Sequence, residues 1–220
     1  MALNKLKYNS LNVTPVANKA ISFDSDPDAL EATLEGGAMT FIKKLTASSD
    51  GTLSFVDGTS DVVFDNTYKE YLFLFNNVHP ATDAAALTFN GSDDDSSHSY
   101  DVTKTTSYFY AYNTENDSAT NLVYDTSQDL AQATGFQNLA ASIGSDNDQG
   151  LSGSLRIFNP SSTTFVKHFI GETHISSHEN LALHFFIGGY FNTTADITAM
   201  QFKMSSGNID AGTITLYGIN

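Results

Sequence analysis

With 220 residues, 40% of them hydrophobic and including 16 Phe and 10 Tyr, the chain has enough apolar material for the core of one large all-β domain and lacks a disordered composition. The excess of Asp and Glu gives a formal charge of −15, and Arg156 is the only arginine, which excludes the clustered cations that a nucleic-acid partner needs. Cysteine is absent, so disulfides, thiolate metal sites and a cysteine nucleophile are excluded as well.

The opening stretch "MALNKLKYNSLNVTPVANKAISF" carries Lys5 and Lys7 but no long apolar segment, and reads as something other than a signal peptide. No later run nears the roughly 20 apolar residues that span a bilayer, so no membrane insertion is expected. Residues 1–39 mix small polar and single apolar side chains and then reach "DSDPDALEATLEGG". Asp26 as N-cap, Pro27 at the first helical position and Gly36-Gly37 as a stop would make a short helix, and an ordered loop fits equally. Either way residues 1–39 read as an extended N-terminal arm that takes its order from something larger, ahead of a domain spanning residues 40–220. Asp24, Asp26, Asp28 and Glu35 fall at the first, third, fifth and last positions of a calcium-loop template and are the candidate metal ligands. Ala29 stands where that loop needs glycine, and Pro27 is a second departure, so an acidic helix start or solvated loop is the preferred reading. No other cofactor is expected.

From Met39 onward the chain is strands and turns. "MTFIKKLTA" and "GTLSFVD" flank "SSDG", which reads as a hairpin turn. "SDVVF" and the aromatic "YKEYLFLFNNV" follow as strands, the latter ending at His79-Pro80. "AALTFNG" and "SYDVTKTTSYFYAYN" bracket the acidic loop "SDDDSSHS"; in the second of them Tyr108, Tyr110 and Tyr112 share one face. Residues 113–150 are the least regular part, with "QDLAQA" able to make a helical turn. "LSGSLRIFN" and "TTFVKHFIG" read as a hairpin about Asn159-Pro160, "NLALHFFIGGYFN" as the most apolar strand, and "ITAMQFKMS" with "DAGTITLYGIN" as a closing hairpin about Gly207-Asn208. The last strand alternates Thr213, Thr215 and Tyr217 with Ile214, Leu216 and Gly218, and a strand reaching Asn220 must be held by neighbours. The expected fold is an antiparallel β-sandwich, jelly-roll-like.

Several long segments, "MALNKLKYNSLNVTPVANKAISF", "TLSFVDGTSDVVFDNTYKEYLF", "NVHPATD", "DLAQATGFQNLA", "LSGSLRIFNPSSTTFVKHFI" and the ending "SGNIDAGTITLYGIN", resemble in this order a family of marine bacteriophage (cyanophage- and pelagiphage-type) virion structural proteins, labelled tail-fibre or capsid-decoration proteins. The resemblance implies a β-rich homo-oligomer on the virion surface, with phage capsid or tail proteins as partners. It carries no catalytic motif and therefore no functional residue. Synthesis in the host cytoplasm, a trimeric state that buries strand edges, and attachment to the particle through residues 1–39 are the corresponding expectations.

The remaining candidate chemistry is sparse. "GLSGS" lacks the spacing of a nucleophile elbow, and no enzyme activity is expected. Asp93, Asp94, Asp95 and Asp101 around His98 read as a solvated loop tip, with a cation site as the alternative. His168, His174, His178 and His184 crowd together without a His-x-His pair; His168 and His184 read as core or interface residues rather than metal ligands. Tyr108, Tyr110 and Tyr112 could stack on pyranose rings, which makes a lectin-like module recognising a host surface glycan the alternative to a purely structural role.

Overall fold

The computed structural model describes residues 38–220 and, before them, the antiparallel pairing of strands β1 (Ser22–Phe23) and β2 (Leu30–Glu31). Backbone contacts divide the chain into Met1–Gly37 and Ala38–Asn220. Leu30 and Glu31 pair as a strand, so the short helix expected after Asp26 does not run through them. Asp24, Asp26, Asp28 and Glu35, the calcium-template residues, lie outside the described residues.

Residues 38–220 form a two-sheet antiparallel sandwich. Its strands are β3 (Met39–Thr46), β4 (Leu53–Val56), β5 (Glu70–Pro80), β6 (Ala85–Ser92), β7 (Lys104–Thr114), β8 (Thr120–Tyr124), β9 (Gln137–Ile143), β10 (Leu151–Phe158), β11 (Lys167–Ser176), β12 (Leu181–Phe191), β13 (Ala199–Met204) and β14 (Ile209–Ile219). The wide sheet has eight strands in the order β3-β14-β5-β10-β11-β12-β7-β8, and the narrow sheet has four, β4-β13-β6-β9. Four nested pairs, β3 with β14, β4 with β13, β5 with β10 and β6 with β9, are dealt alternately to the two sheets. That order is a jelly roll. The other four strands are two insertions, β7–β8 and β11–β12, which zip onto β10 and prolong the wide sheet alone.

Alternation fixes which side chains face inward. In β11 every second residue from Lys167 to Ile175 is buried and the intervening ones are exposed, the pattern of a strand with one core face and one outer face. Between the sheets Phe55, Phe73 and Phe202 meet edge to face, with ring centroids 5.2–6.2 Å apart, and Phe169 closes against Phe89 and Phe191. Strand β14 lies between β3 and β5, with Ile214 and Leu216 buried and Thr213, Thr215 and Tyr217 on the other face. The expected tethering of the last strand is thus met by an interior place in the wide sheet, one strand in from its edge.

The hairpin about Asn159-Pro160 forms as β10–β11, but the other two expected hairpins do not. Strand β3 pairs with β14 and β4 with β13, so "SSDG" carries the chain from one sheet to the other. The reason is long-range pairing that continues through the turn: Ser49 N donates to Asp210 O, and Asp50 N to Ile209 O. The Gly207 turn forms with φ near +68° but again crosses between sheets, from β13 to β14. "SDVVF" is no strand; Val62 and Phe64 are buried as a plug, with Phe64 N bonded to Asp57 Oδ1 at 2.7 Å. "QDLAQA" makes no helical turn, the local turn falling at Thr126–Gln128 instead.

Candidate functional site

The insertions leave the wide sheet broader than its partner, and the inner face of the overhang is only partly covered. Across β7 and β12 the inward residues are Tyr108 opposite Ile187, Tyr110 opposite Phe185 and Tyr112 opposite Leu183. The segment after β8 folds back over the start of this face, where Leu130 N donates to Thr106 Oγ1 at 2.8 Å and Asp125 N to Tyr108 O at 3.0 Å. Beyond it a groove of about 490 Å³ stays open. Its floor is Tyr108, Tyr110, Tyr112 and Phe185, and Asp125, Gln128, Ser142 of β9 and Glu179 also line it. The three tyrosines expected on one face are therefore brought together, as the lining of a concavity rather than as exposed surface.

The groove mixes apolar floor and polar wall. Tyr110 and Phe185 rings lie 5.6 Å apart, and Tyr110 and Tyr112 6.4 Å apart. Tyr108 is fully buried, and its hydroxyl has no hydrogen-bond partner among the described residues. Burial, and after it the Asp125 charge, pushes the Tyr108 phenol well above its ordinary range, and the same two causes raise Tyr110. Asp125 is fixed by Ser127, whose backbone N and Oγ donate to Oδ1 at 2.9 and 2.7 Å. Asn138 Nδ2 donates to Gln128 Oε1, tying the wall to β9. Sequence reasoning missed Asp125, Gln128, Ser142 and Glu179, which come from three separated segments, the loop after β8, strand β9 and the β11–β12 turn.

The acidic loop is a solvated tip, as expected, with Asp95, Ser96, Ser97 and Ser99 exposed, and it is internally ordered. Asp94 collects it: Oδ1 accepts from the backbone N of Ser97 and His98 at 2.7 and 2.8 Å, and Oδ2 from that of Ser99 at 2.9 Å. These bonds hold its carboxyl far below the usual range. Asp95 is exposed, and Asp101 accepts from Ser99 Oγ. Among the described residues, no group of three or more His, Asp or Glu converges as a metal ion would require.

His168 and His184, expected as core or interface residues, lie outside the core on the outer side of the wide sheet. His168 is exposed, and His174 faces His184 across β11–β12 on the outer side of the wide sheet, ring centroids 5.7 Å apart. His184 Nε2 lies 2.9 Å from Glu172 Oε1. Burial first and the His184 charge second lower the His174 pKa. An apolar strand does not by itself bury a histidine: β11 and β12 turn their apolar sets, Phe169, Ile175, Leu183 and Phe185, inward and leave His168, His174 and His184 on the opposite parity.

That outer side is the second feature of note. It carries Phe109 stacked on Phe186 at 5.0 Å, with Leu122 67%, Phe41 59%, Ile170 57% and Tyr124 53% exposed. Of the 25 Asp and Glu in the chain, only Glu70, Glu172 and Asp210 lie on the eight strands of this sheet. Glu70 is paired with Arg156 at 2.7 Å and Glu172 with His184. Compared with family models, curated proteins and solved structures, the chain finds no match.

Proposed function

We propose that this chain is a non-enzymatic structural protein of a bacteriophage particle surface, a capsid-decoration or tail-fibre component that works as a homo-oligomer, trimeric in the simplest closed form, attached to the particle through residues 1–39. The observation that supports assembly is the outer side of the wide sheet. A chain of net charge −15 that has only three carboxylates on the strands of its widest sheet, and sets Leu122, Ile170, Phe41 and Tyr124 on the outer side of that sheet, favours self-association through that face. At strand and residue spacings of about 4.8 and 3.3 Å, eight strands of this length present about 1,200 Å², more than the ~800 Å² per partner of a stable interface. The sequence resemblance supplies the particle.

Cryo-electron microscopy of purified virions tests this reading. Density for the sandwich repeating over the shell or along the tail is expected, and particles lacking the protein altogether would overturn it. Deleting residues 2–36 is expected to leave a folded oligomer that no longer joins particles. A receptor-binding module of the tail fibre is the second reading, favoured by the groove beside β7.

A further inference from the structure

We propose that the groove floored by Tyr108, Tyr110, Tyr112 and Phe185 is a binding site for a neutral glycan, entered by pyranose rings that stack on the tyrosines. The proposal rests on the receptor-binding reading and gives it a ligand class.

Aromatic rings offer a flat apolar face and tyrosine a polar tip, which suits a ligand that is apolar on its ring faces and hydroxylated on its rim. The cavity, at about 490 Å³, falls inside the range of small-molecule sites and has room for a short oligosaccharide. The lining then narrows the class. Tyr108 carries a buried hydroxyl with no partner, an unusual state for a polar group that far from water. Asp125, whose backbone N is bonded to the Tyr108 carbonyl, places a carboxylate in the same groove. The groove thus offers a hydroxyl donor and a carboxylate acceptor, and sugar hydroxyls can serve both kinds of group, accepting from the one and donating to the other. Gln128, Ser142 and Thr114 add amide and hydroxyl groups around the rim.

Charge excludes the anionic alternatives. Asp125 and Glu179 both line the groove, no Lys, Arg or His among the described residues does, and the whole chain carries −15. Sulfated, sialylated and uronic-acid glycans would bring like charge into a half-enclosed, poorly screened space. The polar cleft lined by His79, His174 and Asp210 lacks an aromatic floor, and the acidic cleft of Asp57, Asp65, Asp93, Asp95 and Asp196 shows no converging metal set, so neither competes as a site.

The test is binding of the full-length protein to an array of neutral and acidic glycans, followed by calorimetry and thermal melts on the best neutral hexose oligosaccharide. Wild type is expected to retain neutral glycans. Tyr108→Phe removes the unpartnered hydroxyl alone; it is expected to weaken binding about tenfold, the scale of one lost hydrogen bond at 1.4 kcal/mol per decade, while leaving the melting temperature level or raised. A purely structural tyrosine would not separate the two readouts in this way. Tyr112→Ala is expected to abolish retention with the fold intact by circular dichroism. Absence of neutral binding in a folded wild type, preference for acidic glycans, or affinity indifferent to both substitutions would each overturn the proposal. Soluble protein that blocks phage adsorption yet binds no neutral glycan would overturn the ligand class and leave the receptor reading standing.

Discussion

Lys104 is an amino group inside a sandwich core, and its titration is expected to control stability above neutral pH. It opens β7 on the inward parity and is fully buried. Nζ donates to Val102 O at 3.0 Å and Gly135 O at 2.6 Å, and lies 5.9 Å from the Phe191 ring centroid. Burial lowers its pKa to about 8, with Asp101 opposing the shift. The unfolded chain, with a lysine near 10.5, binds more protons than the native state between the two values, so stability rises with pH across that window. At pH 7 both states are protonated and the native state bears the full desolvation cost; at pH 10 the native amine is neutral. Integrating between pH 7 and 10 with these two pKa values gives a gain of about 2.5 kcal/mol. Lys167, buried with Nζ on Ser162 O and Thr193 O, is shifted in the same direction and adds to the rise. Above pH 10 the buried Tyr71 and Tyr108, whose phenols are raised by burial, reverse the trend, because the unfolded chain ionises first. Urea unfolding followed by circular dichroism in half-unit pH steps is the assay. Wild type should gain stability to a maximum near pH 10, and Lys104→Met should lose about 2.5 kcal/mol of that rise while keeping the share from Lys167. A flat wild-type profile, or the same slope in the variant, would refute the reasoning.

Three further predictions concern other parts of the fold. Gly153 sits at the register shift between β10 and β5 with φ near +156°, and a Cβ there would meet Glu172 O at 2.3 Å and Thr173 Cα at 2.6 Å. Since backbone cannot retreat as a flexible side chain can, Gly153→Ala is expected to cost about 3 kcal/mol or more, read as a lowered urea midpoint with unchanged slope. Replacing Leu122 and Ile170 by Asp on the outer side of the wide sheet should reduce the proposed homo-oligomer to monomers by light scattering at unchanged circular dichroism; an unaltered mass would remove that face as the interface. Asp94→Ala deprives three consecutive backbone donors of their acceptor, so amide exchange at Ser97, His98 and Ser99 should accelerate while the sandwich core stays protected, as hydrogen exchange by nuclear magnetic resonance will show.

Much of the strand content was legible because period-2 alternation is local. The pattern through Ile209–Ile219 gave both the strand and its buried face, and Asn159-Pro160 marked the β10–β11 turn correctly. What failed were the partners. "SSDG" and "SSGN" carry hairpin chemistry, yet a jelly roll spends both turns on changing sheets, because its nested pairs join strands far apart in sequence such as β3 and β14. Turn residues report a reversal of direction and say nothing of which sheet receives the chain. The same limit governs the groove. Its tyrosines were visible as one face of a strand, but Asp125, Ser142 and Glu179 join them only because β9 ends the narrow sheet there and two loops close over the gap. Asp94 was hidden differently: three adjacent aspartates look alike in sequence, and only the loop's backbone selects the middle one as its acceptor.

The groove follows from how the roll was enlarged. An insertion that pairs with one sheet of a sandwich extends one hydrogen-bonded ladder and leaves its new inner face without an opposing layer. Here β11 and, to a lesser extent, β12 still pack under β9, but β7 and β8 lie progressively beyond it. An exposed inner face of Leu and Phe would invite aggregation, and a face of charged residues could not pack at the boundary with the core. The chain resolves this by grading the face. Ile187 and Tyr108 are fully or nearly fully buried near the core, Tyr110 and Tyr112 are half-buried farther along, and Thr114 ends the row at the rim. Tyrosine is the side chain that satisfies both demands, since its ring packs inward while its hydroxyl reaches water. Tyr108 is the exception, a tyrosine in a place that packing alone would give to phenylalanine. Its unpartnered hydroxyl is therefore the feature of the row that fold stability does not account for, and substituting that one oxygen separates a face built only to be covered from a face built to hold something.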